Sequence, residues 1–467
     1  MHYLKEAIKK IIPVAVLAVY HRGLAQLAAV VYRHPSRKMI VIGITGTKGK
    51  STTGMVLWQL LTEAGYTVGL TGTIETRIGN VVDTNTTAKM TMAGRFTLQK
   101  LLRRMAGAGC EIAIVETTSI GIAQSRHIGI AYDICMFTNL HPEHLDAHGG
   151  FENYKAAKKQ LFTFLDSLPE KVLPNGKQAP RASVINMDSE YGAEFAALGS
   201  YQKIRVGSVP EAADGDVNGV VLHDVVEAID GTRFALNDAA VQIPLLGAWN
   251  AWNVGLAIVA ASSATGKSFG EFAVTAKELS QVPGRMEFIR EGQSFGVIVD
   301  YAYEPESLEL LYTFCRRLLP SGGRLLTTIS STGGGRDVAR RSKNGEVAGS
   351  LCDVAVVTDE DPYDDDPLEI MQMVEEGVVK AGKVLGENYF VIPDRREAIA
   401  ELFALAKPND VVLLTCKGAE TKMAVAGGRK IEWDDRVVAR LSMDLGEQEV
   451  RLLTGVGALP EDGWQLG

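Results

Sequence analysis

Cysteines are few in this 467-residue chain, and their spacing follows no pattern. No two of them form a CxxC pair and none lies at a Cys/His spacing, which argues against a zinc site and against a disulfide framework. Several lie inside apolar segments typical of strands, so we expect buried free thiols in a reducing, cytoplasmic setting. The five cysteines are Cys110, Cys135, Cys315, Cys352 and Cys416.

The chain also lacks an excess of positive charge. It carries 48 Lys and Arg against 56 Asp and Glu, which gives a net charge of -8. No basic tract stands out beyond the N-terminal segment. Nucleic acid is therefore not an expected partner.

A hydrophobic run long enough to span a bilayer is absent as well. Pro13 interrupts the apolar run Ile11–Tyr20, which is too short to cross a membrane, and no small-residue cleavage site indicates a secretory signal. We expect residues 1–37 to form a helical extension that packs on the body of the protein. The alternative is peripheral membrane contact through residues 1–33, with basic side chains at the lipid headgroups. Those side chains are Lys5, Lys9, Lys10, Arg22 and Arg33.

The chain does contain a repeated alternation of strand-like and helix-like segments from Lys38 onward. This alternation predicts an α/β fold built on mostly parallel, doubly wound sheets. Strands are predicted at residues 38–44, 112–116, 134–138, 182–186, 295–301, 324–329, 353–358 and 411–415. Helices are predicted at residues 50–64, 304–319, 367–381 and 395–406.

The segment GITGTKGKST (43–52) follows a predicted strand and opens a predicted helix. A glycine-rich turn at this place lets backbone N–H groups and the helix N-terminus face phosphate oxygens. Lys50 is expected to contact the β- and γ-phosphates, and Ser51 to offer its hydroxyl to Mg²⁺. The first glycine of GxxxxGK[ST] is missing, so we expect Gly43 and Gly46 to supply the flexibility of the loop. Further nucleotide-binding candidates in the loop are Thr47, Gly49 and Thr52.

A second block, FTNLHPEHLDAHGGFENYKAAKKQLF (137–162), together with the GTKGKS loop, resembles the Mur ligase family. In that family a histidine and a carbamylated lysine of this block bind a second Mg²⁺, which the resemblance carries over to His144 and Lys158. The chemistry is consistent, because a lysine cation repels Mg²⁺ whereas its CO₂ adduct presents two carboxylate-like oxygens. A zinc site at His141, His144 and His148 fits less well, because cysteine partners are absent.

VETTSIGIAQSRH (115–127) resembles the EVSSHxLxQxR stretch of the MurE-type branch of this family. The resemblance implies that Glu116 binds Mg²⁺, and a strand-end acid beside a phosphate loop suits that role on physical grounds. Ile120 replaces the family histidine. TMAGRFTLQKLL (91–102) resembles TTPDxxxLxxLL of the same branch. Together the two segments imply four residues that hold the acceptor substrate: Thr91, Thr118, Gln124 and Arg126.

Three further blocks resemble the nucleotide-binding segments of the family. GAWNAWNVGLA (247–257) would bring Asn253 to the adenine, and GRMEFI would bring Arg285 near the phosphates. VDYAYEPESLELL would place Asp300 at the ribose, with Tyr303 in place of the family histidine.

The C-terminal blocks would select the incoming amine. STGGGRDVARR (331–341) resembles GGGDRDxxKR of the family, which implies that Arg336 is a carboxylate clamp, and CKGAE (416–420) resembles GKGHE and carries over Lys417 and Glu420. TDEDPYDDDP (358–367) lies where diaminopimelate-adding members have DNPR, and Asp361 stands there without the distal arginine. Its acidic run would favour a cationic amine such as lysine or ornithine, although a solvated loop explains the run equally well.

The resemblance implies an ATP-dependent carbon–nitrogen ligase that works through an acyl phosphate. It would add an amino acid to a carboxylate-bearing peptide of the peptidoglycan-precursor type, with ATP, two Mg²⁺ ions and CO₂, as lysine carbamate, as cofactors. The segment QVPGR (281–285) is the best boundary candidate. It predicts the helical extension, a central ATP-binding domain at 38–283 and a C-terminal Rossmann-like domain at 284–467, with the substrates in a cleft between the two.

Three questions stay open at this point. Only 37 residues precede the phosphate-loop strand, too few for the UDP-sugar domain of MurE-type members. We therefore expect either a different carboxylate or substrate handling by the N-terminal extension, and one hypothesis is a lipid-linked or otherwise modified muropeptide. A monomer is expected, although the sequence does not fix the oligomeric state. The alternatives for the activity are a glutamate ligase of the folylpolyglutamate-synthetase type, a P-loop kinase or GTPase, and a non-catalytic, nucleotide-binding Mur homologue.

Overall fold

Two sheets organise the part of the chain that the computed structural model describes, which comprises residues 14–83, 91–143, 145–210, 219–228, 230–335 and 338–444. The chain divides between Ser280 and Gln281 into two compact units, each built on one of these sheets. His144, Arg336 and the first 13 residues of the predicted extension lie outside the described residues.

The first unit contains an eleven-stranded sheet in the order β11-β10-β9-β8-β7-β6-β1-β5-β2-β3-β4. The strands from β9 to β2 in this order pair in parallel, and antiparallel hairpins extend both edges. The strands are β1 Ile40–Thr45, β2 Val68–Thr71, β3 Thr76–Ile78, β4 Val81–Val82, β5 Ile112–Glu116, β6 Ile134–Phe137, β7 Ala182–Asn186, β8 Gln202–Gly207, β9 Gly219–Ala228, β10 Gly231–Leu236 and β11 Ala239–Ile243.

Helices cover the parallel part of this sheet, which is why β1 and β5 are buried along their whole length and rich in Ile and Val. Helix α2 begins directly after the glycine-rich loop and packs against α8. The helices are α1 Val14–Val31, α2 Lys50–Glu63, α3 Arg95–Gly107, α4 Ser119–Ala123, α5 Leu145–His148, α6 Phe151–Ser167, α7 Gly192–Ala196, α8 Ala248–Thr265 and α9 Phe269–Thr275.

Helix α1 packs against α3 through small side chains and exposes six of its large apolar ones. Ala25, Ala28 and Ala29 are buried. Among the described residues, no helix has the length and apolarity needed to traverse a bilayer. The large apolar side chains that α1 exposes are Val16, Val19, Tyr20, Leu27, Val30 and Val31.

The second unit contains a six-stranded sheet in the order β12-β13-β17-β14-β15-β16, parallel except for the edge pair β12–β13. Its strands are β12 Glu287–Ile289, β13 Gly296–Val299, β14 Leu325–Ile329, β15 Val354–Val357, β16 Tyr389–Val391 and β17 Val411–Leu414, with a separate hairpin of β18 Lys422–Val425 and β19 Arg429–Glu432. Its helices are α10 Pro305–Leu318, α11 Ala339–Leu351, α12 Pro367–Lys380, α13 Arg395–Leu405 and α14 Asp435–Asp444.

The predicted α/β class is confirmed, and so is each predicted strand and helix within one or two residues at its ends. The prediction of buried free thiols is confirmed for all five cysteines. The antiparallel extension β9–β11 was not predicted. Its side chains alternate between buried and exposed only in part, so its sequence carries a weak period-2 signal.

Candidate active site

The glycine-rich loop joins β1 to α2, and two of its glycines lie where a side chain would not fit. Gly49 is the N-cap of α2 with φ 82°, and a Cβ there would lie 2.3 Å from Oδ1 of Asn253. A Cβ at Gly46 would lie 1.9 Å from Oγ1 of Thr138. The expectation that Gly43 gives the loop flexibility is wrong, because this residue lies within β1, where the ring of Tyr132 fills the space beside it.

Lys50 folds back over this loop. Its Nζ donates to the carbonyl oxygens of Gly46 at 2.9 Å and of Thr47 at 2.8 Å. Thr47 Oγ1 lies 2.8 Å from the hydroxyl of Tyr154 and accepts from the backbone N–H of His141 at 2.9 Å. The ammonium is thus held at the N-terminal end of α2, where the unpaired N–H groups of the first turn favour an anion.

Glu116 ends β5 as a buried carboxylate surrounded by oxygen and N–H groups. Ser51 Oγ and Thr73 Oγ1 each donate to its Oε2 at 3.0 Å, and the backbone N–H of Thr73 donates to Oε1 at 3.0 Å. Burial raises the pKa of Glu116 above its ordinary value, although Lys50 and these hydrogen bonds oppose the rise. Carboxylate and hydroxyl oxygens are the ligands that Mg²⁺ prefers, so this cluster fits a hard cation.

Thr73 was missed by sequence reasoning. It follows β2, which is the parallel neighbour of β5, so both strands end at the same edge of the sheet. A Cβ at Gly72 would lie 2.0 Å from Oε1 of Glu116, which shows how closely the backbone approaches the carboxylate. A polar residue after a buried strand was the available signal.

Lys158 comes from α6 and points into the same loop. Its side chain is buried, its Nζ donates to the carbonyl oxygen of Gly46 at 2.7 Å, and this nitrogen lies 4.6 Å from the ring centroid of Tyr154. Burial, and after it the charge of Lys50, hold the pKa of the Lys158 ammonium well below its ordinary value, although Glu143 opposes the shift. Loss of the ammonium proton is therefore easier here than for an exposed lysine.

Of the four residues predicted to hold the acceptor substrate, one joins the Glu116 cluster, and the other three make contacts within the segment that contains α4. Thr91 Oγ1 lies 2.9 Å from Thr73 Oγ1 and so joins the Glu116 cluster, whereas Thr118 caps α4 by accepting from the backbone N–H of Gly121 at 3.1 Å. Gln124 Oε1 accepts from Nε and Nη2 of Arg126 at 3.1 and 2.7 Å.

Asn253 lies on α8 beside the N-cap of α2. Its Nδ2 donates to Oδ1 of Asn250 at 2.9 Å, and its Oδ1 lies 3.4 Å from Oγ1 of Thr53. Thr52 is buried in the first turn of the same helix. The structure thus brings four of the predicted loop and metal residues together with Lys158, and Asn253 lies beside this group. The four are Gly46, Lys50, Ser51 and Glu116.

In the second unit Asp300 stands directly after β13. It accepts from the backbone N–H of Met286 at 2.8 Å and of Ala302 at 2.7 Å. Burial raises the pKa of Asp300, and Arg285 is the largest opposing influence. The guanidinium of Arg285 lies 4.5 Å from the ring centroid of Tyr301, so both predicted nucleotide residues of this unit meet at one strand end.

Lys417 is an internal counter-ion rather than an exposed cation. Its side chain is fully buried, and its Nζ donates to Asp361 at 3.0 Å and to Glu420 at 2.7 Å. Burial lowers the pKa of Lys417, but Glu420, Asp361 and Glu360 outweigh this effect and raise it. The three predicted amine-site residues of this region are therefore one ion-paired group. Arg336 lies outside the described residues.

The acidic run at 359–366 has structural contacts throughout. Asp366 caps α12, Asp365 pairs with Arg341, and Glu360 accepts from Ser330 at 3.3 Å. Each of the other three carboxylates accepts a backbone N–H: Asp359 from Glu360, Asp361 from Ala424 and Asp364 from Gly427. Since these contacts account for the run, its charge does not by itself indicate a cationic amine.

Two family models match the chain. The Mur ligase middle domain matches residues 44–261, and the glutamate ligase domain of Mur ligases matches residues 284–418. The first range contains the phosphate loop, Glu116 and Lys158, and the second contains Asp300 and Lys417.

Named relatives agree with these matches. A UDP-N-acetylmuramyl-tripeptide synthetase of Roseiflexus sp. (strain RS-1) is 36% identical over 440 residues, which cover 92% of this chain and 84% of the relative. The solved structure of a UDP-N-acetylmuramoyl-L-alanyl-D-glutamate–2,6-diaminopimelate ligase is similar with a TM-score of 0.57 and 26% identity, over 87% of this chain and 78% of that one. Folylpolyglutamate synthase of Mycobacterium tuberculosis has a TM-score of 0.62 over 85% and 92% of the two chains, but its 16% identity shows the fold alone.

Proposed function

Because this chain belongs to the Mur ligase family, we propose that it is an ATP-dependent ligase that joins an amino acid to a carboxylate-bearing peptide of the peptidoglycan-precursor type. The observation that carries the proposal is the meeting of Lys158, Lys50 and Glu116 at one phosphate loop. A P-loop kinase or GTPase needs the loop and an acid, but it has no use for a second, buried lysine with a lowered pKa beside them.

In the proposed reaction, the acceptor carboxylate attacks the γ-phosphorus of ATP, ADP leaves, and an acyl phosphate forms. Lys50 and the N–H groups at the start of α2 offset the negative charge that spreads over the transferring group. Lys50 already lies on this loop, and its contacts to Gly46 and Thr47 would be exchanged for contacts to phosphate oxygens.

Mg²⁺ fits the residues at this site. Ser51 and Glu116 would hold one ion, and the oxygens of a Lys158 carbamate, with His144, would hold a second. When bound, Mg²⁺ neutralises charge on the phosphate oxygens. The buried Glu116 carboxylate, whose pKa is raised, would gain the positive partner that its burial otherwise denies it.

The carbamate itself follows from the state of Lys158. A neutral amine can add to CO₂, with formation of an N–C bond and loss of one proton, and the pKa of this lysine is low because of burial and of Lys50. The product is an anion, and the charge of Lys50 favours it over an ammonium group, although burial penalises either charge. Lys158 would thus change from a buried base into an oxygen ligand.

The amino acid would then attack the acyl phosphate as a free amine. The tetrahedral intermediate loses phosphate and a proton and leaves the amide. We assign the amine to the group formed by Asp361, Lys417 and Glu420, with Arg336 as the clamp for its carboxylate. Lys417 positions the two carboxylates from within, since it contacts both and has no exposure.

We further propose a cytoplasmic location and peripheral membrane contact through residues 1–33. ATP and five buried free thiols suit the reducing cytoplasm. The six large apolar side chains that α1 exposes, next to Arg22 and Arg33, suit insertion into the headgroup region of an anionic membrane.

Co-sedimentation with anionic vesicles at low salt tests this membrane contact, and the double change Val19→Asp and Leu27→Asp should abolish it. Failure of the wild-type protein to sediment would refute it.

The activity is tested by phosphate release from ATP and Mg²⁺ across a panel of muropeptide acceptors and amino acids. We expect release that needs both an acceptor and an amine and that disappears in Lys158→Ala. Lys159→Ala is the matched control, because the neighbouring lysine pairs with Glu194 on the outer side of α6. Release without an amine, or equal release by both variants, would refute the ligase mechanism.

A further inference from the structure

Three basic side chains from three separate elements meet beside the acceptor residues. His21 comes from α1, Arg95 is the first residue of α3, and Arg126 follows α4. Arg95 Nη2 contacts both Nδ1 of His21 and the backbone oxygen of Gln124. Arg126 holds the side chain of Gln124 and also contacts the backbone oxygen of Met92.

These basic groups influence one another. Burial, and then the charge of Arg95, lower the pKa of Arg126. Burial, and then Arg95 and Arg126, lower the pKa of His21. The Nε of Arg95 is buried and has no hydrogen-bond acceptor among the described residues. An anion placed here would relieve the like-charge interaction and would accept from this donor.

The location of this group connects it to the reacting end of the acceptor. Met92, which contacts Arg126, follows Thr91, and Thr91 is joined through Thr73 to Glu116. Contacts therefore run without interruption from the phosphate loop to helix α1. A peptide whose carboxylate lies at the loop could extend along this line.

We propose that His21, Arg95 and Arg126 form a subsite for a phosphate or diphosphate group that the acceptor carries. Two guanidinium groups have paired N–H donors that match phosphate oxygens, and at Arg126 a phosphate would take the place of the Gln124 side chain. Two positive charges also suit a group with two negative charges better than a single carboxylate. His21 accepts from Arg95 through Nδ1, so its proton lies on Nε2 and is a further donor. This inference rests on the proposed function and gives α1 a part in substrate selection.

The test compares three forms of one muramoyl peptide: linked to a nucleotide through a diphosphate, linked to a polyprenyl diphosphate in detergent micelles, and free of phosphate. For the diphosphate form that is the substrate, Arg95→Gln and His21→Asn should each raise KM about tenfold or more, with kcat and the KM for ATP unchanged. The phosphate-free form should show no change. The control is Lys100→Gln, which removes an exposed charge from the same helix. Thermal unfolding confirms that each variant is folded.

The two diphosphate forms distinguish the source of the group, because only the true substrate should respond to the variants. Equal losses with the phosphate-free peptide, or no loss with either diphosphate form, would refute the subsite. A second measurement does not depend on turnover: calorimetry with inorganic diphosphate, while a non-hydrolysable ATP analogue fills the phosphate loop. Wild-type binding that weakens about tenfold in Arg95→Gln supports the subsite even if no acceptor is ligated, and absent wild-type binding refutes it.

Discussion

The Nζ of Lys158 lies 2.7 Å from the carbonyl oxygen of Gly46, so helix α6 delivers a buried lysine into the phosphate loop. A second lysine, Lys50, reaches the same carbonyl from α2. Burial, and after it the charge of Lys50, hold the pKa of Lys158 well below its ordinary value. The loop therefore combines one lysine suited to phosphate with a second whose lowered pKa suits it to reaction with CO₂.

The first prediction concerns dissolved CO₂. Removal of CO₂ and bicarbonate from the assay should lower ligase turnover about tenfold or more, because Lys158 would then lack its carboxylate-like oxygens, and added bicarbonate should restore it. Turnover is measured as amine-dependent phosphate release. Lys159→Ala should respond as the wild-type protein does. A wild-type rate that stays constant in CO₂-free buffer would contradict the carbamate.

The second prediction compares two glycines that flank α2. It distinguishes the cost of a left-handed backbone from the cost of a steric clash between an added Cβ and a neighbouring side chain. Gly49 and Gly65 both have positive φ, but only a Cβ at Gly49 meets another atom, Oδ1 of Asn253 at 2.3 Å. Each change to Ala should cost about 1–2 kcal/mol of stability through the left-handed backbone. Only Gly49→Ala should also weaken ADP binding, by about tenfold or more, as measured by calorimetry. Equal affinities in the two variants would mean that the loop tolerates the added atom.

The third prediction concerns the burial of Glu116. Since burial raises its pKa, the ionised side chain is costly in the folded protein without a cation, and Glu116→Gln should raise the unfolding temperature by a few degrees. The same change should raise the Mg²⁺ concentration needed for half-maximal activity by about 10–100-fold. Glu111→Gln, an exposed change directly before the same strand, should alter neither. A lower unfolding temperature would indicate that the carboxylate stabilises the fold.

The fourth prediction is a pH dependence of stability that comes from Glu360. Burial raises the pKa of Glu360 from its ordinary 4.5 to about 7, so between these values the folded state binds more protons than the unfolded state. The stability due to this group is complete below the lower value and is lost as pH rises to the upper one. The unfolding temperature of Glu360→Gln minus that of the wild-type protein should therefore be larger at about pH 7.5 than at about pH 4.5.

Differential scanning calorimetry at the two pH values measures this difference. Glu369→Gln, an exposed change on α12, should follow the wild-type protein at both. A constant difference between Glu360→Gln and the wild-type protein would show that Glu360 titrates alike in both states.

Much of the catalytic centre could be predicted because its parts lie in short local patterns. The phosphate loop needs consecutive residues in a fixed order after a strand, and Glu116 ends a recognisable apolar strand. Lys158 was reached only through the resemblance of its whole block, since on its own it is one more lysine on an amphipathic helix. Its burial and its contact with Gly46 depend on how α6 packs on the sheet.

Other features could not be predicted, because they depend on residues that are far apart in the chain. Thr73 reaches Glu116 only because β2 and β5 are parallel neighbours. From the sequence, the acidic run could be either a solvated loop or a segment that favours a cationic amine. In the structure, tertiary contacts account for each of its carboxylates.

The sequence by itself determined the α/β class, the order of strands and helices, the phosphate loop and the family, because backbone periodicity and contiguous motifs are local properties of the chain. The tertiary structure alone decided that Lys158 is buried with a lowered pKa, that Lys417 is an internal counter-ion, and that His21 meets Arg95. All three depend on which side chains packing removes from water and which charges it brings together. The spacing of residues along a chain reveals neither the desolvation nor the charge contacts.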